Sequence, residues 1–321
     1  MPIFTGGKLT NEYKKSKLES EKTTLTNILL KYSIREDVIE KYFEILNLKK
    51  QSEILGGVNN TLKNQEKRLE KLYNNNKLVK KSDVLRVKSD ILGNEVTLLG
   101  LKQKTEIKIY ELQILLGLSM DQPLDITEFD YRALDLNKFI LEDDISKALS
   151  GGSDVKRSEI DLKKSELDVD IAKAGYYPTV GIGFEKNFKD DQDGKDSYRV
   201  GVGFTWNVFN WGADMDSVAQ NKYKVDQANI DLTNKKNNIT LEVREKYSNM
   251  MTLSKQLEAQ DLKVEIAREN ASIDTLRYNN SLMSSFEYLD SIDKQRAAEE
   301  DYYTLQRKFM LAVDRYENAW R

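Results

Sequence analysis

The sequence predicts a mainly α-helical protein with a small β part, in which very long antiparallel coiled helices are interrupted by a single β-hairpin. Three observations support this fold class. Only three prolines occur in 321 residues, and proline breaks helices. One helical segment repeats apolar residues every seven positions. A stretch directly after Pro178 alternates apolar residues with small or polar ones, as a strand does.

Helical periodicity runs through most of the chain, because apolar residues recur among charges at helical spacing. The Asn-rich stretch "YNNNKLVKKSD" predicts a turn after the first long helix, and Ser82 and Asp83 are predicted to cap the next one. "NNSLMSS" predicts the turn before the last helix. The predicted helices are residues 9–75, a helix ending near residue 116, a short helix in "DDISKALSGGSD", residues 154–175, residues 213–278 and a C-terminal helix.

The second long helix contains a seam of apolar residues at a spacing of seven. This repeat predicts left-handed coiled packing against neighbouring helices. The alternate seam includes Lys246 and Gln260, so the helix does not match an ideal two-stranded zipper. A helical bundle that packs on itself remains an alternative. The seam consists of Val243, Met250, Leu257, Val264, Ala271 and Tyr278.

Two strand-like segments form the predicted hairpin, residues 178–209, with the polar turn "KDDQDGKD" between them. The second segment alternates over about 11 residues, which is the length of a tilted strand that crosses a bilayer. Arg199, Thr205 and Asn207 fall on its other face. An ordinary soluble hairpin is the alternative. The apolar row of this segment is Tyr198, Val200, Val202, Phe204, Trp206 and Val208.

The chain contains an internal repeat. Phe4 matches Phe209, and Tyr42 matches Tyr247, each pair 205 positions apart. The repeated unit is a strand end, a long helix, a turn and a shorter helix, and repeats of this size indicate a duplicated architecture. The predicted division is a first repeat at 1–117, a linking segment at 118–153 and a second repeat at 154–321.

The second repeat begins with a helix and a hairpin, whereas the first repeat has only "MPIF" in their place. Internal symmetry therefore predicts about 50–70 further N-terminal residues and a signal peptide in the natural protein. The alternative is a gene that begins at Met1 as a degraded copy.

Composition excludes several classes of function. The chain has no Cys and no His, so thiol chemistry and the commonest metal ligands are absent, and no metal or cofactor is expected. The net charge of −3 gives no reason to expect nucleic acid as a partner. No apolar run reaches the roughly 20 residues of a membrane-spanning helix. Without a phosphate-binding Gly-rich loop or any sign of a pocket, an enzyme is not expected.

Several segments in order resemble the TolC-type outer membrane efflux proteins. "AGYYPTVGIGF" resembles the passage from helix to strand in that family, with Pro178 at the junction, and "FTWNVFNWG" resembles the strand that leads back into a long helix. "LRYNNSLMSSFEYLDS" is similar to the family's turn segment. "FTGGKL" and "KKSDVLRVKSDIL" resemble the equivalent parts of the first repeat, and "SDVKRSEIDL" the helix before the hairpin.

The resemblance implies a homotrimer whose three chains form a β-barrel in the outer membrane and an α-helical tunnel in the periplasm of a diderm bacterium. The hairpin is then a transmembrane β-hairpin, with the row from Tyr198 to Val208 facing lipid. A closed barrel pairs every backbone group in the membrane. The implied function is a passive exit duct for drugs or proteins, coupled to a periplasmic adaptor protein and an inner-membrane transporter.

The resemblance also implies a gate at the periplasmic tip. Glu287 and Asp290 match the family's acidic ring positions, Asp83 is the first-repeat counterpart, and Tyr278 matches a tyrosine whose hydroxyl ties neighbouring helices. Residues three apart can share one side of a helix, and a ring of carboxylates favours cations. A solvated helix face is the alternative for this acidic pair. The family's turn glycine is replaced by Ser281, which disfavours left-handed geometry.

Two other functions remain open on the sequence. A periplasmic coiled-coil adaptor or scaffold also has long helical hairpins, but adaptors add compact domains of many short strands, and one clear hairpin is present here. A degraded, non-functional channel copy is the other alternative. Lysines of the first tip, Lys77, Lys80 and Lys81, are candidate adaptor contacts or ordinary surface.

Overall fold

A computed structural model describes residues 1–76, 79–128, 135–187 and 197–319 of the chain. Across these residues the protein is mainly helical with a small antiparallel sheet. In chain order the elements are β1 (Pro2–Phe4), α1 (Lys8–Asn76), α2 (Lys81–Leu116), α3 (Leu141–Gly151), α4 (Ser153–Lys173), β2 (Thr179–Asn187), β3 (Ser197–Thr205), α5 (Ala213–Asn279) and α6 (Ser285–Glu317).

The long helices agree with the sequence prediction to within a few residues, and the predicted fold class is confirmed. The prediction of the α2 cap was wrong. Lys80 occupies the N-cap position without a side-chain cap bond, and Ser82 and Asp83 lie inside the first turn. The helix begins at Lys81, so Ser82 and Asp83 are already helical and neither occupies the extended N-cap position.

The described residues separate into two compact units. Unit 1 comprises residues 1–31 and 142–242, and unit 2 comprises residues 32–141 and 243–319. Each unit is defined by contacts in space and combines segments from both predicted repeats. The units therefore do not test the predicted division into two repeats and a linking segment, which stays a proposal.

The sheet belongs to unit 1 and has the order β1-β2-β3 with antiparallel pairing. Ile182 pairs with Val202, and Phe184 with Val200, so the apolar residues of both long strands share one face. All of these side chains except Val180 are exposed, with Val202 at 75%. The sequence alternation therefore builds an apolar sheet surface. Its members are Val180, Ile182, Phe184, Tyr198, Val200, Val202 and Phe204, and this set is called the apolar sheet face.

The opposite face of the sheet has almost no side chains at its centre. Gly181 pairs with Gly203, and Gly183 pairs with Gly201. Beyond the glycines, Glu185 pairs with Arg199, whose guanidinium lies 3.6 Å from the carboxylate. Two neighbouring glycine pairs thus leave bare backbone in the middle of this glycine face.

Strand β3 ends earlier than the alternating pattern indicates. The prediction of a strand of about 11 residues was wrong at this end, because pairing with β2 stops at Thr205. Beyond it, the Trp206 indole N–H donates to the carbonyl oxygen of Tyr176 at 3.2 Å. Trp206 and Val208 are exposed but lie outside the strand. The polar turn predicted at residues 189–196 lies outside the described residues.

Helices α1 and α4 are joined in unit 1 by ion pairs at a spacing of seven residues. Lys15 contacts Asp168 and Lys22 contacts Asp161, each at 2.6 Å. Lys164 of α4 pairs with Glu19 of α1 in the opposite direction. Because these groups are partly exposed, each pair contributes only about 0–1 kcal/mol to stability. The cation comes from α1 in two pairs and from α4 in the pair between them, and this order favours one alignment of the two helices.

The core of unit 2 contains the predicted heptad seam. Val243, Leu257 and Val264 are buried, and Met250 is fully inaccessible. Ala271 belongs to a buried cluster with side chains of three other helices, namely Leu62, Leu69, Val87, Ile91, Tyr288, Leu289 and Ile292. The seam therefore packs against helices of the same chain, and its spacing of seven residues is typical of such packing.

The two long helices α1 and α5 begin after turns with the same backbone hydrogen bond. The Lys8 N–H donates to the Thr5 carbonyl at 3.1 Å, and the Ala213 N–H donates to the Asn210 carbonyl at 3.2 Å. These residues stand 205 positions apart, as in the sequence match. The same turn therefore leads into α1 and into α5.

Helices α2 and α5 end in the same hydrogen-bonded motif, with a left-handed residue after the helix. In α5 this residue is Ser281 (φ 61°), and in α2 it is Gly117 (φ 67°). The N–H groups of Ser281 and Leu282 donate to carbonyls of the last helical turn, as those of Gly117 and Leu118 do. Ser281 thus takes the geometry that its side chain disfavours.

Replacing Ser281 by Gly is expected to raise the free energy of unfolding by about 1 kcal/mol, because glycine adopts this conformation without a Cβ clash. Gly117→Ser is the matched control and should lower it by a similar amount, since a Cβ at Gly117 meets no atom within 4 Å and only the backbone strain changes. Urea unfolding of both variants beside the parent measures the two shifts. Shifts of the same sign would contradict this account of the turn.

Candidate functional site

Three of the four predicted gate residues, Tyr278, Glu287 and Asp290, lie near the turn between α5 and α6 in unit 2. The Tyr278 hydroxyl lies 2.9 Å from the Ser285 hydroxyl, which joins the end of α5 to the start of α6. Its ring stacks on that of Tyr288 with centroids 4.4 Å apart and planes 6° from parallel. Tyr278 therefore ties two neighbouring helices through both its hydroxyl and its ring.

Glu287 takes part in a capping box at the start of α6. Its carboxylate accepts from the Ser284 backbone N–H at 3.0 Å, and the Ser284 hydroxyl accepts from the Glu287 N–H at 3.2 Å. The sequence analysis did not assign this role, although the S-x-x-E spacing in "SSFE" is its signal. The Glu287 side chain, which was predicted to belong to the gate, therefore also caps the N-terminus of α6.

The capping box lowers the pKa of Glu287, first through the Ser284 backbone N–H and then through the Ser284 hydroxyl. A depressed pKa contributes stability above the ordinary glutamate value of 4.5, and this contribution is lost as the pH falls through the lower folded value. Glu287→Gln is therefore expected to lower the melting temperature at pH 7, and the deficit should shrink below pH 4.5.

The control for this prediction is the double variant Ser284→Ala/Glu287→Gln, melted over the same pH range. Because the Ser284 hydroxyl also accepts from the Glu287 backbone N–H, which Gln leaves in place, the second substitution should lower the melting temperature further, by an amount that does not depend on pH. A deficit of Glu287→Gln itself that does not depend on pH would show that Glu287 does not stabilise α6 through its carboxylate.

Asp290 lies one turn further along α6 and pairs with Lys294 at 2.6 Å. Glu287 and Asp290 border the same groove between α5 and α6, so they lie on one side of the helix. A third carboxylate, Asp274 of α5, borders this groove and accepts from the Ser291 hydroxyl at 2.8 Å. The groove thus gathers three carboxylates on one side, two of which the sequence analysis had selected.

Asp83 occupies in α2 the third helical position that Glu287 occupies in α6. The two sites differ, because the residue equivalent to Ser284 is Lys80, which makes no side-chain cap bond. Asp83 is half-buried in unit 2. The first-repeat turn with Lys77 lies outside the described residues, so its part in an adaptor contact stays a prediction.

Two further contacts in unit 2 were not expected from the sequence. Arg68 of α1 donates to the Asn279 carbonyl at the end of α5 at 2.8 Å, and also to its side-chain oxygen. Burial and the neighbouring Asp293 raise the pKa of Asp90. No local motif marks either contact, because each joins residues far apart in the chain.

The predicted lipid-facing row is exposed in unit 1, with Tyr198, Val200, Val202 and Phe204 on β3 and with Trp206 and Val208 after it. Pro178 stands directly before β2, after the extended residue Tyr177. This agrees with the restriction that proline imposes on the preceding residue. Their roles in a membrane remain proposals.

Within the described ranges, no group of three or more acidic side chains is arranged to hold a metal ion. In the same part of the chain, none of the helices has an apolar stretch long enough to cross a bilayer.

Comparison with solved structures identifies the same fold in several outer membrane channels. The chain is 18% identical to the outer-membrane channel OprN. The match covers 98% of this chain and 72% of OprN, with a TM-score of 0.82. VceC from Vibrio cholerae is 17% identical, and the match covers 99% of this chain and 77% of VceC with a TM-score of 0.81. The CmeC channel from Campylobacter jejuni is 17% identical, and the match covers 98% of this chain and 68% of CmeC with a TM-score of 0.78. At these identities the likeness establishes the fold.

No curated protein matches the sequence significantly. The family model for outer membrane efflux proteins matches residues 145–315, which is more than half of the chain. This confirms the resemblance to TolC-type proteins that the hairpin and turn segments predicted. The chain belongs to the outer membrane efflux protein family.

Proposed function

We propose that the protein is the exit duct of a tripartite efflux or type I secretion system and lets drugs or proteins pass the outer membrane passively. The observation that carries this proposal is the apolar sheet face, on which apolar residues alternate with glycine or polar residues over 179–185 of β2 and 197–205 of β3. An exposed apolar patch of this size indicates contact with lipid or another protein. Family membership favours lipid.

The working form proposed is a homotrimer, because helices of unit 2 expose apolar stripes at coiled-coil spacing. On α5 the stripe is Leu262, Ile266, Ile273 and Leu276. A second stripe lies on α2. Its residues are 54–72% exposed and recur at spacings of three, four and seven residues or multiples of these. Burying such stripes against another copy removes them from water. The α2 stripe consists of Leu85, Leu92, Val96, Leu99, Ile107 and Ile114.

Glu287 and Asp290 are the proposed gate at the periplasmic tip, with Asp83 and Tyr278 in supporting positions. Three chains bring six carboxylates from the first two positions to one mouth, and such a ring favours cations. Their common groove in the protomer supports this arrangement. Opening requires movement of α5 and α6, which the contacts of Tyr278 and Arg68 restrain.

A periplasmic adaptor protein and an inner-membrane transporter are the proposed partners, and the transporter supplies the energy. The duct itself performs no chemical reaction in this proposal. The helical part lies in the periplasm, and the sheet lies in the outer membrane of a diderm bacterium.

Membrane fractionation followed by native mass spectrometry tests the location and the assembly together. The expected result is a trimer in the outer membrane. Leu92→Lys in the α2 stripe should reduce trimer recovery, whereas Thr97→Lys on the same helix, at an exposed polar position, should not. A soluble periplasmic monomer would instead favour the adaptor or scaffold function, and an unassembled membrane form would favour a degraded copy.

Conductance in planar bilayers tests the gate. The double variant Glu287→Gln/Asp290→Asn should lower the preference for cations and weaken block by multivalent cations. Glu185→Gln on the sheet is the control, because it removes a carboxylate of unit 1, whereas the proposed gate residues belong to unit 2. An unchanged cation preference in the double variant would exclude the proposed acidic ring.

A further inference from the structure

Four glycines interrupt the two helices of the first repeat in unit 2. Gly56 and Gly57 lie in α1, and Gly93 and Gly100 lie in α2. Packing does not require glycine at these positions, because a Cβ at each would meet no atom within 4 Å. The backbone does not require it either, since none of the four has a positive φ. Because glycine loosens a helix relative to alanine, these residues weaken both helices.

Interhelical ion pairs show that the glycines of both helices lie at one level. Lys63 of α1 pairs with Glu95 of α2 at 2.7 Å, and Lys41 pairs with Glu111 further from the turn. The two helices are therefore antiparallel. Both glycines of α1 and one of α2 lie between these ion pairs, and the other glycine of α2 lies within one turn of Glu95. This part of the helix pair is called the glycine level.

The second repeat provides an internal reference, because it contains the same interhelical ion pair. Arg268 of α5 pairs with Glu299 of α6 at 2.6 Å. These residues match Lys63 and Glu95, 205 and 204 positions apart, since the offset falls by one between the long and the short helices. The residues equivalent to the four glycines are Asp261, Leu262, Ala297 and Thr304. The same level is therefore loosened by glycine in one hairpin and not in the other.

Asn59 adds a second weakness to the glycine level, on the buried side of α1. It is 3% exposed, and its side-chain oxygen has no hydrogen-bond partner among the residues that the structure describes. A buried polar atom without a partner destabilises the straight helix pair. The equivalent residue of α5 is Val264, a buried member of the heptad seam. A bend at this point would admit water to the Asn59 amide and relieve that cost.

A threonine follows a glycine by one helical turn in both α1 and α2. The Thr61 hydroxyl donates to the Gly57 carbonyl at 3.1 Å, and the Thr97 hydroxyl donates to the Gly93 carbonyl at 3.0 Å. A hydroxyl that bonds to the carbonyl four residues earlier often bends a helix. The equivalent residues of the second repeat carry no hydroxyl. These bonds therefore favour bending in the first hairpin at the same level as the glycines.

Beyond the glycine level, the tips of the two hairpins are joined. The buried cluster around Ala271 contains side chains of α1, α2, α5 and α6. Arg68 of α1 also donates to the Asn279 carbonyl at the end of α5. Separating the two tips would expose the apolar cluster to water and break this bond. The tip of unit 2 therefore moves at the lowest cost as one body.

We propose that α1 and α2 bend at the glycine level, so that the tip of unit 2 pivots there as one body while α5 and α6 follow by gradual curvature. The consequence for transport rests on the proposed function. In the duct, this pivot moves Glu287 and Asp290 and opens the gate. The hinge then belongs to the first repeat, whereas the two carboxylates that it moves belong to the second.

Hydrogen exchange followed by mass spectrometry tests the bending on the full chain, whether or not the chain conducts. After correction for intrinsic rates, protection should be about five- to tenfold lower in residues 54–61 and 92–100 than in their counterparts 259–266 and 296–304. Residues 62–69 of the tip should remain protected. Equal protection of the two levels would overturn the bending. Lost protection in the tip would show that the cluster opens instead.

The triple variant Gly57→Ala/Asn59→Val/Gly93→Ala tests whether the bending opens the gate. It gives the first repeat a helix former at both glycines and the apolar residue of the second repeat at Asn59. Protection at the glycine level should rise about tenfold, and the open probability in planar bilayers should fall by a similar factor. Ser248→Ala/Asn249→Ala on α5 is the matched control, because alanine strengthens the helix at these exposed positions away from the glycine level.

The outcomes distinguish the hinge from the duct. If the triple variant exchanges more slowly but opens as often as the parent, the pivot does not open the gate and the proposal is wrong. If the control lowers the open probability equally, general stabilisation accounts for the effect and the hinge is again excluded. If the parent does not conduct, the proposed duct fails, and the exchange of the two levels alone decides whether α1 and α2 bend.

Discussion

Val202→Arg is expected to prevent stable insertion of the protein in the outer membrane. Val202 lies near the middle of β3 and is 75% exposed on the apolar sheet face. A lipid-facing Arg at the bilayer midplane costs about 2–4 kcal/mol per chain, and the proposed trimer carries three of them. Urea washing of isolated outer membranes, followed by immunoblotting of the pellet, measures the loss of integrated protein.

Gly201→Arg is the matched control for this substitution. Gly201 neighbours Val202 on the same strand but lies on the glycine face, and a Cβ there meets no atom within 4 Å. It should therefore insert as the parent does, although a channel carrying it should conduct less. If both variants insert equally well, the apolar sheet face does not contact lipid. If both fail equally, the hairpin tolerates no Arg on either face.

Tyr316→Ala is expected to lower the stability of unit 2 by about 3–5 kcal/mol, the loss typical of removing a large buried aromatic side chain. Tyr316 is fully inaccessible and lies between two rings, with Phe139 at 5.2 Å and Tyr247 at 5.4 Å between centroids. Truncation to Ala leaves a cavity between these two rings, and such a cavity adds to the lost burial. Urea unfolding followed by circular dichroism at 222 nm reports the loss.

Tyr316→Phe and Tyr223→Ala serve as controls for this prediction. The first keeps the ring and removes only the hydroxyl, so it should cost much less than alanine. The second truncates a tyrosine that is 73% exposed in unit 1 and should change stability by less than about 0.5 kcal/mol. A loss for Tyr316→Ala as small as that for Tyr223→Ala would mean that the aromatic contacts contribute little.

The helical part of the fold could be predicted because its signals are local and repeated. Val243, Met250 and Leu257 occur seven residues apart, and burying this seam needs no knowledge of the partner helix. The strand end at Thr205 could not be predicted in the same way. Alternation continues to Val208, but a strand lasts only as long as a neighbour offers hydrogen bonds. The pattern of one segment does not contain that information.

The candidate site was predictable where a motif is local and not where a contact crosses the chain. The three-residue spacing of Glu287 and Asp290 placed them on one side of α6. The bond between Arg68 and Asn279 joins residues 211 positions apart, so sequence alone offers no signal for it. The left-handed backbone of Trp211 (φ 57°) could not be predicted either, since the preference of its residue type opposes that conformation.

The glycine face of the sheet affects which step of export can discriminate between cargoes. Side chains provide the charges, hydrogen-bond donors and shapes with which proteins sort molecules, and the paired positions Gly181–Gly203 and Gly183–Gly201 have none. If this face lines the barrel, a solute in transit meets a smooth, non-adhesive wall there, with little to slow or reject it. The barrel is then a pore with little selectivity of its own. The choice of which cargo is exported must be made before the cargo reaches the outer membrane.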